Sequence, residues 1–105
     1  MAALRLGAGG NEPAVFEHLV GEIDGEVVAC GAVFHGSCAA EVQHVVTRAE
    51  FRRRGIGAAV TAAALDLARQ RGHGRAVLTA SPDGFGVYER LGFRTVASVR
   101  RFLLR

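Results

Sequence analysis

The hydrophobic periodicity of this 105-residue chain changes once, near its middle, and that change limits the folds open to it. Over residues 15–47 the apolar residues occur in short, β-branched runs typical of strands. After Arg54 they recur at helical spacing and form one apolar stripe, made of Ile56, Val60, Ala63, Ala64, Leu67 and Ala68. The pattern predicts a block of strands followed by an amphipathic helix from about residue 55 to residue 70.

The strand block predicts an antiparallel meander. Strand-like runs cover residues 15–20 and 26–34, and Asp24-Gly25 between them is a strong hairpin signal. A second turn at His35-Gly36-Ser37 leads into AAEVQHVVT, which we expect to form a third strand. Residues 1–13 are rich in Gly and Ala and predict a loose N-terminal arm, with room for one short strand.

The segments after the helix alternate between strand and helix. Gly72 ends the helix, and RAVLTA predicts a short buried strand that a helical crossover places parallel to its neighbour. SPDG predicts a helix start capped by Ser81, with Pro82 at the first helical position, and Gly92 ends this short helix. We expect FRTVASVRRFL to return as a final strand or hairpin. The whole chain is then one α/β domain, residues 1–105, with a mixed, mostly antiparallel sheet and the order βββ-α-β-α-β.

Composition limits the partners and the compartment. The formal net charge is +3, and all thirteen basic side chains are arginine. Either a phosphorylated partner or the base composition of the genome explains this choice. Cys30 and Cys38 form neither a zinc knuckle nor a redox pair, and the histidines lack metal-ligand spacing. Without a signal-like start or a run of roughly 18 apolar residues, we expect a cytoplasmic protein with reduced thiols that binds neither metal nor membrane.

The segment EFRRRGIGAAV places three arginines and two glycines where the long helix begins. Unpaired amides at a helix N-terminus attract anions, and glycine lets the backbone approach them closely. No P-loop is present, since the chain has no lysine, and GAGG near the N-terminus is not a dinucleotide-binding fingerprint. The segment is therefore either a seat for an anionic ligand or a solvated charge run.

Two motifs together resemble the GNAT acetyltransferase superfamily. Arg52-x-x-Gly55-x-Gly57-Ala58 is similar to its coenzyme A signature, and VYERLGF is similar to its Y-x-x-x-G-F segment. They occur in the family's order, separated by a helix and a strand, and the likeness extends over roughly residues 16–103. The resemblance implies a GNAT-like fold and acetyl-coenzyme A as the acetyl donor.

The resemblance also implies which residues hold the donor. The main chain of the strand end before the signature would pair with the pantetheine arm, where that strand splays from its neighbour. The amides of the signature would hold the pyrophosphate, arginine side chains would add charge, and Ser81 takes the place of an asparagine that touches the cofactor. The implied cofactor-binding residues are Val45, Val46, Thr47, Arg52, Arg53, Arg54, Gly55, Ile56, Gly57, Ala58 and Ser81.

For catalysis, the resemblance implies that Tyr88 donates a proton to the departing thiolate. A phenol titrating near pH 10 is protonated at neutral pH and suits this role. Glu41 aligns with the catalytic glutamate of the histone acetyltransferase branch, with His44 or ordered water as alternative bases. Alternation places Glu41 with Gln43 and Val45, on the face opposite His44. Without the family, Tyr88 reads as a core aromatic and Glu41 as a cross-strand charge partner.

The chain departs from the family pattern in two places. Thr47 and Ala49 stand where valine and proline are common, which main-chain contacts tolerate. Only about fifteen residues precede the first predicted strand, where the family usually has a strand and two helices that wall the acceptor site. The chain is thus either a minimal member whose acceptor site a second subunit completes, as in a homodimer, or a truncated one.

The leading functional hypothesis is an acetyl-coenzyme A-dependent N-acetyltransferase that acts on an amine of a small molecule or protein. The alternative is a noncatalytic acyl-coenzyme A-binding or sensing domain. A nucleic-acid binder is disfavoured, because the arginines are not interleaved with exposed aromatics and the net charge is modest.

Overall fold

The computed structural model describes residues 4–8, 15–98, 102 and 104. Its strands, a short 3-10 turn and its helices follow one another as β1 (Arg5–Ala8), β2 (Phe16–Ile23), β3 (Glu26–His35), β4 (Ala40–Thr47), the turn Ala49–Phe51, α1 (Ile56–Gln70), β5 (Ala76–Leu78) and α2 (Phe85–Arg90). Within this part of the chain no helix is both long and apolar enough to cross a lipid bilayer.

The sheet has five strands in the spatial order β1-β2-β3-β4-β5. The first four pair antiparallel, and α1 carries the chain across to β5, which lies parallel to β4. Asp24 and Gly25 form the β2–β3 turn with φ of 53° and 77°, the left-handed pair that a two-residue hairpin requires. The predicted α/β class with a mixed, mostly antiparallel sheet is confirmed.

The core lies between α1 and one face of the sheet. Alanines of α1 allow a close approach to the strands, and two clusters of buried apolar residues fill the interface. The first contains Leu19, Val33, Ala40, Val42, Ala64 and Ala68. The second contains Val28, Ala29, Ile56 and Val60. Gly31 marks the tightest contact, because a Cβ at that position would lie 2.9 Å from Cγ1 of Val60.

A β-bulge in β4 overturns one prediction about its faces. Ala32 pairs with Gln43 but Cys30 pairs with Val46, so β4 holds one extra residue between these pairs. His44 takes a φ of 55° there. Because one extra residue reverses the alternation, Val45 packs toward α1 and does not share a face with Glu41, as strict alternation had predicted.

The N-terminal arm contains the short strand for which the prediction left room: it is β1, which pairs with β2. Two other predicted element boundaries are wrong. The second helix begins at Phe85 after Gly84; Ser81 and Pro82 lie in the preceding turn, where Ser81 Oγ accepts a hydrogen bond from the Gly84 amide at 3.3 Å. Residues 93–98 contain no strand, and residues 99–101, 103 and 105 of the expected final strand lie outside the described residues.

Candidate active site

The strands β4 and β5 separate near one edge of the described sheet and leave a cavity between them. Their pairing runs only from Ala40↔Ala76 to Val42↔Leu78, although β4 continues to Thr47. The cavity measures about 410 Å³ and is lined by Glu41, Val42, Gln43, His44, Val45, Leu78, Thr79, Ser81 and Tyr88. Among the described residues, the edge of β4 beyond Val42 therefore has no partner strand on the β5 side.

The cavity brings together the side chains predicted for proton transfer. Glu41, His44 and Tyr88 all line it. The Gln43 amide donates a hydrogen bond of 2.6 Å to Oε1 of Glu41, which fixes that carboxylate. Strict alternation predicts Glu41 and His44 on opposite faces of β4. The bulge at His44 brings both residues to the same cavity, and no sequence signal marks that bulge.

Tyr88 is positioned by its neighbours on α2. A Cβ on Gly84 would lie 3.1 Å from Cε2 of Tyr88, so only glycine there leaves the ring this close to the backbone. The ring of Phe93 meets the ring of Tyr88 edge-on, at 6.2 Å between centroids. Tyr88 thus lines the cavity with its ring packed between Gly84 and Phe93, although α2 itself contains no buried residue.

The start of α1 exposes main-chain amides, as the anion-binding interpretation of the glycines predicted. Gly55 is the N-cap, with a φ of 78° that favours glycine, and no side chain caps the helix. Its carbonyl accepts the Ala59 amide at 3.1 Å, so the amides of Ile56, Gly57 and Ala58 precede the first helical hydrogen bond. A Cβ on Gly57 would meet only Thr47 Oγ1 at 3.8 Å, which leaves the space beside these amides open.

The arginines of this segment differ in what they already contact. Arg52 Nε donates to the Thr47 carbonyl at 3.1 Å, and Arg54 Nη2 donates to the Glu50 carbonyl at 3.4 Å. Arg54 also lies over the Phe51 ring, 5.0 Å from its centroid. Arg53 is exposed and takes a φ of 65°. Arg52 and Arg54 therefore shape the loop between β4 and α1 while keeping their charge near the amides.

Arg48 lies outside the arginine and glycine motif, and its guanidinium is paired with two carboxylates. It forms ion pairs with Glu26 and Glu50. A backbone hydrogen bond, together with the Arg48 guanidinium, lowers the pKa of Glu50. One guanidinium balances only one of the two carboxylate charges, so this group keeps a net charge of −1.

A second charged cluster lies on the α1 face of the sheet, away from the cavity. Glu17 is only 5% exposed and accepts hydrogen bonds from Arg71 Nε and Nη2 and from His35 Nε2. Nδ1 of His35 lies 3.0 Å from Nε2 of His73. The Arg71 contact lowers the pKa of Glu17 despite its burial. No local sequence pattern announces this cluster, because Glu17 and Arg71 are 54 residues apart in the chain.

Neither metal nor disulfide chemistry has a visible site in the part of the chain that the structure describes. No three side chains of His, Cys, Asp or Glu there are close enough together to hold a metal ion. Cys30 and Cys38 are free, exposed thiols.

Solved structures with the same fold are found among acetyltransferases. A predicted acetyltransferase with acetyl-CoA from Clostridium acetobutylicum has a TM-score of 0.73 and 17% identity, with 85% of this chain and 64% of that chain covered. Glucosamine-6-phosphate N-acetyltransferase from Arabidopsis thaliana has a TM-score of 0.75 and 21% identity, with coverage of 87% and 68%. A transcriptional regulator from Bacillus halodurans C-125 has a TM-score of 0.77 and 26% identity, with coverage of 89% and 69%.

The separated strands β4 and β5 and the uncapped start of α1 thus belong to a fold that is also found in acetyltransferases. The sequence agrees, since residues 6–93 match the model of the Acetyltransferase (GNAT) family, and the chain belongs to that family. Among curated proteins no sequence matches.

Proposed function

We propose that this protein is an acetyl-coenzyme A-dependent N-acetyltransferase that transfers an acetyl group directly to an amine of a small molecule or protein. The observation that carries the proposal is the position of Glu41, His44 and Tyr88 around one cavity, beside an unpaired strand edge. Family membership supports acetyl transfer, and the likeness to structures named for acetyl-CoA and for N-acetylation supports the donor and the amine acceptor.

The donor would be held mainly by main-chain groups. The free edge of β4, over Val45, Val46 and Thr47, would pair with the amides of the pantetheine arm as a further strand does. The amides from Arg53 to Ala58 would hold the pyrophosphate, and Ser81, which lines the cavity, would contact the donor. Arg53 would add a charged contact, because Arg52 and Arg54 already bond to the loop.

The chain's own groups would then move two protons. Acetyl-coenzyme A, when bound, supplies an acetyl thioester that a neutral amine can attack. An acceptor amine is protonated at neutral pH, so the Glu41 carboxylate, His44 or an ordered water must remove its proton. The Tyr88 hydroxyl would donate a proton to the departing thiolate. Direct transfer leaves no step for Cys30 or Cys38 as a nucleophile.

The proposal is tested first by calorimetry with acetyl-coenzyme A and then by thiol release with a panel of primary amines. We expect saturable binding and amine-dependent thiol release. Tyr88→Phe should lower kcat by about 100-fold or more, the usual share of a general acid, while donor affinity is retained. Saturable binding without turnover on any amine would favour the acyl-coenzyme A-binding domain, and absence of binding would reject both functions.

A further inference from the structure

The sheet face opposite α1 carries an exposed group of aromatic rings, which we call the aromatic patch and define as Phe16, His18 and Phe34. Phe16 and Phe34 pair across β2 and β3, with ring centroids 5.2 Å apart. The His18 ring lies parallel to that of Phe16, at 6.2 Å. Phe16 is 41% exposed. The patch thus offers a largely apolar surface of two tilted phenylalanine rings and a histidine ring, which the described part of the chain leaves partly exposed.

Glu41 joins the aromatic patch to the cavity. In the sheet register Glu41 lies directly opposite Phe34 on one side and Val77 on the other, so its near neighbours on that face are apolar. It also lines the cavity between β4 and β5. Its recorded hydrogen bond comes from the neutral amide of Gln43, and no ion pair to Glu41 occurs among the described residues.

A half-buried carboxylate among apolar side chains is stabilised by a cation that can also donate hydrogen bonds. A protonated primary amine supplies both, and the apolar neighbours favour an amine that carries an apolar group. An aromatic group would match the patch best, since ring pairs gain stability beyond the area they bury.

We propose that the acceptor is a small primary amine attached to an aromatic or bulky apolar group. The ammonium lies at Glu41, at the mouth of the cavity, and the apolar group lies on Phe16 and Phe34. This assignment rests on the proposed function and names its substrate class. It makes Phe16 and Phe34 determinants of acceptor specificity.

Charge complementarity favours this occupant over a second copy of the chain. The described strand residues of this face include two basic side chains, His18 and Arg5, and Arg5 pairs with Glu22, at the far end of β2 from Phe16. A second copy docked patch against patch would therefore cover the Glu41 carboxylates of both copies while each Arg5 lies at the far end of the strands.

The test compares three primary amines that differ in the attached group: 2-phenylethylamine, isoamylamine and ethanolamine. We expect kcat/KM to be at least about tenfold higher for 2-phenylethylamine than for ethanolamine, because a ring resting on the patch removes apolar area from water. Phe16→Ser should collapse that ratio toward one, and Phe16→Leu should favour isoamylamine over 2-phenylethylamine. Val27→Ser, at an exposed apolar position near the other end of β3, is the matched control and should keep the ratio.

Equal kcat/KM for the three amines would overturn the inference, even with acetyl transfer established. If no amine is acetylated, ligand-observed NMR still decides: 2-phenylethylamine should bind the protein, and Phe16→Ser should abolish that signal while ethanolamine gives none. Light scattering completes the test. A wild-type dimer that Phe16→Ser converts into monomers would show that the face is a subunit interface, and the inference would then be wrong.

Discussion

Glu17 is a buried carboxylate that pairs with Arg71 and accepts a further hydrogen bond from His35, so it connects three separate parts of the chain. It belongs to β2, while Arg71 follows the end of α1 and His35 ends β3. Their hydrogen bonds to Glu17 measure 2.9 to 3.1 Å. Removing one partner leaves a buried charge incompletely paired, which costs more than the loss of an exposed ion pair.

Arg71→Leu should therefore lower the free energy of unfolding by about 1–3 kcal/mol at pH 7, as measured by urea denaturation. Arg69→Leu is the matched control: Arg69 lies at the same helix end, but its pair with Asp66 is exposed on both sides. The control should cost less than about 1 kcal/mol. Equal losses in the two variants would mean that the Glu17 cluster adds no stability of its own.

The pH dependence of the unfolding free energy gives a second test of the contact between Glu17 and Arg71. Because the pKa of folded Glu17 lies below its ordinary 4.5, its carboxylate stabilises the fold above that pH, and this contribution is lost as the pH falls through the folded pKa. The difference in unfolding free energy between wild type and Arg71→Leu should shrink as the pH is lowered below about 4.5. A difference that stays constant from pH 7 to pH 3 would contradict this account.

At the scale of single elements, the start of α1 lacks a side-chain cap and contains two glycines, of which the fold requires only one. Gly55 needs its positive φ, whereas Gly57 has ordinary helical geometry and room for a side chain. The fold alone therefore does not require glycine at residue 57. A ligand that approaches the helix amides closely would require glycine at residue 57.

The Gly57→Ala variant should separate the requirement of the fold from the requirement of ligand binding. We expect stability to be unchanged or raised by up to about 1 kcal/mol, because alanine is the better helix former. Affinity for acetyl-coenzyme A should fall by about tenfold, since the new methyl group stands beside the amides. Gly74→Ala, in an open loop position after α1, is the control and should change neither. Undiminished affinity in Gly57→Ala, measured by calorimetry, would argue against pyrophosphate binding at this turn.

Elements whose sequence patterns involve neighbouring residues were predicted well, whereas features that depend on distant residues were not. The helical stripe and the Asp24-Gly25 turn depend on neighbouring residues, and both elements lie where they were expected. The bulge at His44 depends on the pairing of two strands, and no residue type announces it. The Glu17 cluster depends on the complete fold, so it could not be predicted. In the candidate site, Glu41, Ser81 and Tyr88, which the family resemblance singled out, line one cavity, and their roles there stay a prediction. Strict alternation did not predict that His44 lines the same cavity.

For the whole molecule, the fit between α1 and the sheet is set at Gly31. Gly31 lies opposite the bulge, and Val60 occupies the space where its side chain would be. Val60 is fully buried and joins the second core cluster. A valine side chain is stiff at χ1 and cannot easily turn away. Any side chain added at residue 31 must therefore move α1 or the strand.

Gly31→Ala should destabilise the protein by about 1–3 kcal/mol, through overpacking. Val60→Ala alone should cost about 2 kcal/mol by leaving a cavity. Because the added and the deleted groups share one space, the double variant should be more stable than the sum of the two losses predicts, by about 1 kcal/mol or more. Gly7→Ala, where a Cβ meets nothing within 4 Å, is the control. Strict additivity in urea denaturation would refute the proposed contact.

The bulge in β4 also has a consequence for how this strand can change during evolution. Before His44, Glu41 and Gln43 line the cavity, and after it Val45 packs against the core. Gln43 still pairs with Ala32 and Val46 with Cys30, so the bulge absorbs the extra residue and the strand continues in register beyond it. Deleting one residue between Gln43 and Val46 would remove the bulge and keep Val46 opposite Cys30, with the same face outward. Substitutions and deletions in β4 therefore act on different features: a substitution changes one side chain, whereas this deletion changes the backbone at His44, whose φ is 55°.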